Sequence, residues 1–411
     1  MRNLLVVTMM MAAFCQAAPA KAAVSASSFS FKGEARLRVE GDDRTDFANT
    51  KDFTVLRVRP GVTFTPDVTL DVFLEPQFSK TFGEPQLNAA TTTANASQTT
   101  SGTTFDTSLS VHEAYIDYHP YENFSFIGGR QILDYGEGLV VGRADWGNVG
   151  RSFDALRTRV THKRGFWDVW ASKLVDNNTT ATGTADDTNF YGTYLSMEFG
   201  KHLKALDLYA FYQRDGLPQH LYVGGVRAKS DIRWFDYRLE ATKEYGGAVA
   251  SGDGAYQADL ELGVTLNTSF RPRFAVEGFT SGRNYNQLFP SGHEFLGSAD
   301  IFSRRNISGG VFHFSGEPWD NITFLLDYHR FYRTSTDTGA FRFNGTVLGL
   351  PARSANNYVG QELDFFWKYR VSRALSFFAG LAGFLKGDYL NDSYAQDWRP
   401  TFYYVQLEAK F

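Results

Sequence analysis

The chain has 411 residues, of which 16% are aromatic, and a formal net charge of −4. Its mean hydropathy is −0.30, and beyond the N-terminus no apolar stretch approaches the roughly 18 residues that a spanning helix requires. These values exclude a bundle of membrane helices, and the slightly acidic balance gives no reason to expect a nucleic-acid partner.

The first 22 residues have the three parts of a Sec-type signal peptide. Arg2 supplies the positive charge, the segment 4–14 the apolar core, and Ala20-Lys21-Ala22 the cleavage motif. The single cysteine, Cys15, lies inside this segment, so the mature chain is expected to have neither a disulfide nor thiol chemistry. We predict a signal peptide over 1–22 and a single secreted domain over 23–411.

Apolar and polar residues alternate along the mature chain, which is the pattern of strands with two different faces. In the first segment Leu37 and Val39 fall on one face, whereas Arg36 and Arg38 fall on the other. About eighteen such segments of roughly 9–14 residues can be traced, the length that a tilted membrane strand requires. Their approximate first residues are 29, 53, 68, 109, 123, 152, 166, 188, 204, 220, 232, 255, 270, 305, 320, 357, 374 and 401.

The connections between these segments alternate in length. Those after even-numbered segments are tight turns, whereas those after odd-numbered segments are mostly long: 41–52, 80–108, 132–151, 175–187, 246–254, 282–304, 334–356 and 387–400. Short periplasmic turns opposite long outer loops are typical of outer-membrane barrels. The sequence therefore predicts an all-β fold, a single transmembrane antiparallel β-barrel of about 18 strands in the Gram-negative outer membrane.

This location implies outer-membrane lipid and lipopolysaccharide as partners. The last segment alternates and ends at Phe411, which looks like the signal that the barrel-assembly machinery reads, so that machinery is a further expected partner. Every even-numbered turn is too short to form a periplasmic plug. Any plug would be an outer loop folded inward, with 80–108, 132–151 and 282–304 as candidates.

Three short stretches carry a resemblance to a known family: GRQILDYGE over 129–137, DWGN over 145–148 and GRSFDA over 150–155. Together they resemble the alginate-export family of outer-membrane barrels. The later stretches 295–300 and 327–329, with 360–364 and 387–390, fit the same pattern, so the resemblance covers essentially the whole mature chain. It implies an eighteen-stranded porin-like barrel and, for the best-known members, export of polyanionic alginate through an arginine-rich constriction.

Arginine suits such a constriction because its planar guanidinium offers a fork of donors to each carboxylate and stays charged. Six arginines lie on the polar faces of predicted strands, namely Arg36, Arg38, Arg57, Arg59, Arg157 and Arg159. Arg130 and Arg151 occupy the positions of the family-like segment that flank the third outer loop, so the resemblance adds them as constriction candidates. Acids are abundant on the same faces, and cross-strand pairing that merely stabilises the wall stays open as an alternative.

We predict a channel for passive passage of anionic solutes, alginate or related polyuronates included, through an arginine-containing constriction. Three alternatives stay open: a general diffusion porin without polyanion preference, a barrel enzyme acting at the outer rim, and a structural barrel without an open pore. The eight histidines are scattered and the chain lacks G-x-S-x-G, P-loop and CxxC motifs. We therefore predict no enzymatic activity, no catalytic residue, no metal site and no cofactor.

Overall fold

The computed structural model describes residues 28–42, 51–82, 108–175, 188–215, 219–247, 254–394 and 399–411. The predicted signal peptide and most of the plug candidate 80–108 lie outside the described residues. Within the described ranges, no helix combines the length and the apolar character that crossing a membrane would take.

Eighteen antiparallel strands of the described chain close into one barrel, and the last strand pairs with the first. The prediction of an eighteen-stranded barrel is confirmed, and each predicted strand start lies within three residues of the observed one. The barrel strands are β1 (Ser28–Asp42), β2 (Lys51–Asp67), β3 (Leu70–Phe82), β4 (Ser108–Tyr121), β5 (Phe124–Gln131), β6 (Phe153–His162), β7 (Gly165–Val175), β8 (Thr188–Met197), β9 (Ala205–Asp215), β10 (Gln219–Ile232), β11 (Phe235–Tyr245), β12 (Tyr256–Thr265), β13 (Arg273–Ser281), β14 (Ser308–Trp319), β15 (Ile322–Tyr332), β18 (Tyr358–Arg370), β19 (Leu375–Lys386) and β20 (Thr401–Lys410). Between β15 and β18 the chain forms a small hairpin of β16 (Ala340–Phe341) and β17 (Val347–Leu348), and a short helix α1 (Asp388–Ser393) follows β19.

The barrel closes where β20 pairs with β1, with Leu37 opposite Leu407. Beyond β20 the terminal residue continues the pairing, because the Phe411 amide donates to the Gly33 carbonyl at 3.0 Å and the Phe411 carbonyl oxygen accepts from the Gly33 amide at 2.6 Å. A Cβ atom at Gly33 would lie 2.5 Å from the Phe411 ring. A side chain at this position would therefore require the terminal ring to move.

The strands expose apolar side chains on their outward face and bury charged side chains on their inward face, the reverse of a water-soluble protein. Apolar side chains such as Leu156 (56% exposed) and Val276 (55%) are open on the outward face, whereas charged side chains such as Arg57 (0%) and Asp168 (0%) are buried on the inward face. Apolar groups facing outward and polar groups facing inward are the arrangement that a lipid-facing wall around a polar lumen requires. Cross-strand register keeps this parity around the barrel, with Arg36 opposite Arg57 and Arg159 opposite Asp168.

The apolar core lies inside the barrel, where two outer loops pack against the wall. One cluster joins Phe302 and Ile307 to Phe331 on β15 and Phe384 on β19. A second cluster joins Leu133 and Tyr135 to Trp170, Phe190 and Phe211 on β7 to β9. Buried aromatic side chains of this size supply most of the apolar contact area that keeps the loops inside.

Candidate functional site: the inner loops and the lumen arginines

The loop 132–152, here the first inner loop, crosses the lumen. Near its start the Tyr135 hydroxyl donates to Asp168 on β7 at 2.7 Å. Glu137 accepts from Lys229 on β10 at 2.7 Å, and further along the Asp145 carbonyl accepts from Arg57 on β2 at 3.0 Å. These contacts join three separate sectors of the wall, which confirms that an outer loop folds inward.

Four inward-facing arginines of β1 and β2, here the arginine latch (Arg36, Arg38, Arg57 and Arg59), hold the segment 145–149. Arg36 donates to the carbonyls of Asp145 at 2.8 Å and Gly147 at 2.9 Å. Arg38 donates to the Trp146 carbonyl at 3.0 Å, with its guanidinium 3.8 Å from the Trp146 ring centre. This segment has no regular structure, so its carbonyls need donors from elsewhere, and each guanidinium offers five.

The other two latch residues bind the only carboxylate of that segment. Arg59 Nη1 donates to Asp145 Oδ1 at 2.7 Å and Arg57 Nη2 to Asp145 Oδ2 at 3.1 Å. Burial alone would raise the pKa of Asp145, but the charges of Arg57, Arg59 and Arg36 outweigh it and hold the pKa below its usual range. Asp145 is therefore ionised throughout the physiological pH range.

Arg151 lies between the first inner loop and the loop 282–307, here the second inner loop. Its Nη1 donates to the carbonyls of Gly142 at 2.9 Å and Pro290 at 3.1 Å, and also to that of Phe289. Burial lowers the pKa of Arg151 to about 10, so the side chain stays protonated at neutral pH. Because these three acceptors are neutral carbonyls, the bonds solvate the charge of Arg151 without cancelling it.

The second inner loop is held by carboxylates of β18 through its backbone amides. Ser298 N donates to Asp364 at 3.0 Å, and Ala299 N donates to Glu362 at 2.7 Å. Gly297 precedes these amides with φ of +81°, and a Cβ atom there would lie 2.5 Å from Glu362 Oε1. One wall of the barrel thus satisfies loop carbonyls with arginines, and another satisfies loop amides with carboxylates.

The wall that supplies these carboxylates, here the second wall, extends from β11 to β18 and also carries an ion-pair network. Glu261, Glu277 and His313 bring ligand-type atoms within 4.8 Å of one another, as a metal site would. The Arg238 guanidinium, however, donates to Glu261 at 3.0 Å and to Glu277 at 2.8 Å. A guanidinium therefore already supplies the positive charge between these carboxylates, and the group is best described as an ion-pair network. The charged residues of this wall include Arg238, Arg273, Arg304, Asp236, Asp259, Glu261, Glu277, Asp327, Glu362 and Asp364.

Arg157 and Arg159 face the lumen from β6, away from the arginine latch. Arg159 binds both oxygens of Asp168 at 2.7 Å, and Arg157 lies 3.9 Å from the same carboxylate. The Arg159 side chain is 34% exposed. It is thus anchored at the wall and remains open to the lumen.

The structure corrects the candidate Arg130. Register pairs it with Asp154, and the Asp154 carboxylate accepts two of its hydrogen bonds at 2.8 Å on the exposed outward face. The inward positions of β5 belong instead to Ile127 and Gln131, which are buried. Arg130 therefore lies on the outward face, whereas the other seven candidate arginines face the lumen or contact the inner loops.

The sequence analysis did not identify the solvent-exposed charged side chains of the inner loops as candidate site residues. Arg143 is 52% exposed and pairs with Asp134 at 2.9 Å. Glu137 bridges to Lys229 and also to Arg227. The family-like segments contain Asp134, Glu137 and Asp145, so they point to this region, but no local pattern identifies partners about 90 residues away.

The chain shares its fold with solved outer-membrane proteins. OccAB4 of Acinetobacter baumannii superposes with a TM-score of 0.63 at 10% identity, covering 93% of this chain and 98% of that one. OccAB1 of the same species superposes with a TM-score of 0.61 at 13% identity, covering 96% of this chain and 99% of that one. OpdK of Pseudomonas aeruginosa superposes with a TM-score of 0.61 at 10% identity, covering 93% of this chain and 98% of that one. No curated protein has a sequence significantly similar to this chain.

The sequence profile of the alginate export family matches residues 27–400. This range takes in seventeen complete barrel strands and both inner loops. Together with the barrel fold, the match supports an outer-membrane channel. The chain belongs to the alginate export family.

Proposed function

We propose that this protein is an outer-membrane channel for passive passage of anionic solutes, alginate or related polyuronate oligosaccharides included. The observation that carries the proposal is the set of cations gathered around the first inner loop. A channel selects by the fixed charges at its narrowest part, where they are least screened. The inner loops narrow this lumen, so the charge balance at their surface is the relevant quantity.

That balance is positive. We count the charged groups of the first inner loop, the charged groups that contact it and the ion-pair partners of both. Ten cations face eight carboxylates, a net charge of +2. The cations are Arg36, Arg38, Arg57, Arg59, Arg143, Arg151, Arg157, Arg159, Arg227 and Lys229, and the carboxylates are Glu34, Glu40, Glu113, Asp134, Glu137, Asp145, Asp168 and Asp207.

Several of these cations are open to a passing solute. The side chains of Arg143 and Lys229 are 52% and 49% exposed, and Arg159 adds a third partly open cation on the neighbouring wall. A polyuronate carries one carboxylate per sugar, and guanidinium groups bind carboxylates with two parallel hydrogen bonds. Spaced, partly paired arginines would bind such a chain weakly at several points, which is what conduction requires.

A general diffusion porin without polyanion preference is the second candidate. It is favoured by the network on the opposite wall, in which Asp236, Asp259, Glu261 and Glu277 pair with Arg238, Arg273 and Arg304, so that carboxylates outnumber guanidinium groups four to three. A lumen with one basic and one acidic wall would admit small ions of both signs. The two candidates differ in whether a chain of carboxylates passes faster than a neutral chain of equal size.

Solute flux into liposomes tests this difference. Purified full-length protein is reconstituted, and the entry of trimeric uronate is compared with that of a neutral trisaccharide. We expect faster entry of the uronate, reduced in a variant with Arg143→Gln and Arg159→Gln and unchanged in one with Arg130→Gln. Equal entry of both sugars would favour the general porin and reject the polyanion preference.

The proposal includes a passive mode of transport, with no catalytic role and no cofactor. Entry that stops when the two sides reach equal concentration, with the sugar recovered unchanged, is the expected result. Hydrolysis products in the same experiment would instead favour an enzyme at the outer rim.

Export and assembly complete the proposal. We propose Sec-dependent export with cleavage before Ala23, which N-terminal sequencing of the membrane-purified protein tests directly.

We also propose that the barrel-assembly machinery reads Phe411, whose ring packs at the seam beside Gly33. Deleting Phe411 should then lower the amount of heat-modifiable barrel in the outer membrane, and an unchanged amount would reject this role.

A further inference from the structure

A shallow groove of about 380 Å³ opens on the outward face of β6 to β8. Its floor and sides come from one register row, in which Leu156 lies opposite Ala171 and Ala171 opposite Tyr191. Leu156 and Tyr191 are 56% and 41% exposed, and the small side chain of Ala171 leaves the depression between them. This groove faces the lipid, and its lining at this level is apolar enough for an acyl chain.

A row of polar side chains runs along the upper edge of the groove, on the side of the long outer loops. Register places these residues next to one another on consecutive strands, all on the outward face: Arg130, Asp154, Lys173, Asn189, Arg214 and His220. Three cations and one carboxylate give the row a net charge of +2 with His220 neutral.

Tyrosines lie one outward position below this row. The rings of Tyr191 and Tyr212 are 5.9 Å apart, and those of Tyr212 and Tyr222 are 4.8 Å apart. Between this level and the periplasmic turns, the outward positions of β5 to β10 hold no Asp, Glu, Lys or Arg among the described residues. Tyrosine rings and cations at one level above an apolar band mark the membrane–water interface.

Cations at this interface suit one chemical class of partner. An outward lysine or arginine at the lipid boundary is stable when its long side chain reaches polar headgroups, and both residues bind phosphate groups strongly. The row lies at the end of the barrel that carries the outer loops, so the adjacent leaflet is the outer one. In that leaflet the lipid with several acyl chains and phosphate groups is lipopolysaccharide.

We propose that the outward face of β6 to β9 is a specific binding site for lipopolysaccharide. Lys173 and Arg214 bind the lipid A phosphates, and the groove between Leu156 and Tyr191 receives one acyl chain. Asn189 lies between the two cations in register and offers its amide to the same headgroup. The site therefore recognises a phosphate and an acyl chain held at a fixed distance, and not merely a negative surface.

The matched variants lie on the same hairpins. Lys173→Gln with Arg214→Gln removes two cations from the row. Lys163→Gln with Arg164→Gln removes two exposed cations from the periplasmic turn between β6 and β7, where no outer-leaflet lipid can reach. Ala171→Phe leaves every charge in place and fills the groove. Heat-modifiability on gels verifies that each barrel is folded before binding is measured.

Binding is measured with the full-length protein in detergent, using hexa-acylated lipopolysaccharide, the same lipid after enzymatic dephosphorylation, and phosphatidylglycerol. We expect K173Q/R214Q to weaken binding of intact lipopolysaccharide roughly thirtyfold, since each interfacial cation strengthens binding about fivefold. K163Q/R164Q should bind as the native protein does, and A171F should bind at least several-fold more weakly.

Three results would overturn the proposal. Equal affinity for phosphorylated and dephosphorylated lipid A would remove the phosphate from recognition. Equal loss in both double variants, or equal affinity for phosphatidylglycerol, would make the face a general surface for anionic lipids.

Discussion

Replacing Asp145 by asparagine tests whether the arginine latch holds the first inner loop. The variant removes the carboxylate that accepts from Arg59 at 2.7 Å and from Arg57 at 3.1 Å. It leaves the backbone carbonyls of Asp145, Trp146 and Gly147 in place as acceptors for Arg36 and Arg38. The perturbation is therefore confined to the charged part of the latch.

The size of the effect follows from burial and geometry. Removing one partner of a buried ion pair costs about 3–5 kcal/mol, but the Asp145 side chain is 32% exposed, so solvent screening reduces the cost. Two charge-assisted hydrogen bonds at about 1.5 kcal/mol each lead to a similar figure of about 2–3 kcal/mol. Local opening of the loop should then become about 30- to 160-fold more frequent.

Hydrogen–deuterium exchange of peptides covering 143–151 measures this opening directly. Asp154→Asn is the matched control, because it also removes an aspartate that accepts two hydrogen bonds from guanidinium groups, here both from Arg130 on the exposed outward face. We expect faster exchange in D145N and native exchange in D154N. Native exchange rates in D145N would refute the latch, since the carbonyl contacts alone would then hold the loop.

Three further predictions concern pH, selectivity and strain. Burial, reinforced by the nearby Asp134, raises the pKa of Glu294 against the opposing charges of His293 and Arg143. As the pH is lowered, Glu294 should therefore become neutral at a higher pH than an ordinary glutamate and increase anion preference, and Glu294→Gln should reduce that increase in single-channel records. Asp168→Asn releases the charges of Arg157 and Arg159 and should raise the anion-to-cation permeability ratio about twofold, the effect of one unit charge at roughly 8 Å in about 0.15 M salt, where the Debye length is about 8 Å. Gly297→Ala forces a Cβ toward Glu362 at a positive φ and should cost about 1–2 kcal/mol, seen as faster hydrogen exchange of 296–300.

Each of these predictions has a matched control. Glu122→Gln alters an exposed carboxylate of a periplasmic turn and should leave the pH response intact; an equal change would shift the effect away from Glu294. Asp154→Asn should leave the permeability ratio unchanged, and a twofold rise there would show that outward charges also count. Gly345 has φ of +79° with open space around its Cβ position, so Gly345→Ala separates backbone strain from the clash with Glu362.

The strands and their faces could be predicted because a period of two is a local property of the chain. Leu37 and Arg36 are neighbours in sequence, and their side chains lie on opposite faces because the strand is pleated. The periplasmic turns are equally local, which is why predicted and observed strand starts agree within three residues. The family-like segments in turn pointed to the loop that crosses the lumen.

The roles of individual arginines could not be predicted in the same way. Arg36 and Asp145 are 109 residues apart, and no periodicity encodes which carbonyl a lumen side chain will bind. At Arg130 the two preceding glycines, Gly128 and Gly129, carry no side chain that would fix the parity of β5. The position of Arg130 in the family-like segment therefore did not predict which face of β5 it occupies. Its register with Asp154 places it on the outward face.

The reversal potential of single channels in a tenfold potassium chloride gradient tests the proposed anion preference most directly. Full-length protein in planar bilayers should give a potential whose sign reports chloride permeating faster than potassium, because the surface of the first inner loop carries a net positive charge. A potential near zero would leave a general diffusion pore, and one of the opposite sign would indicate a cation-selective channel; either result would contradict the proposed anion preference.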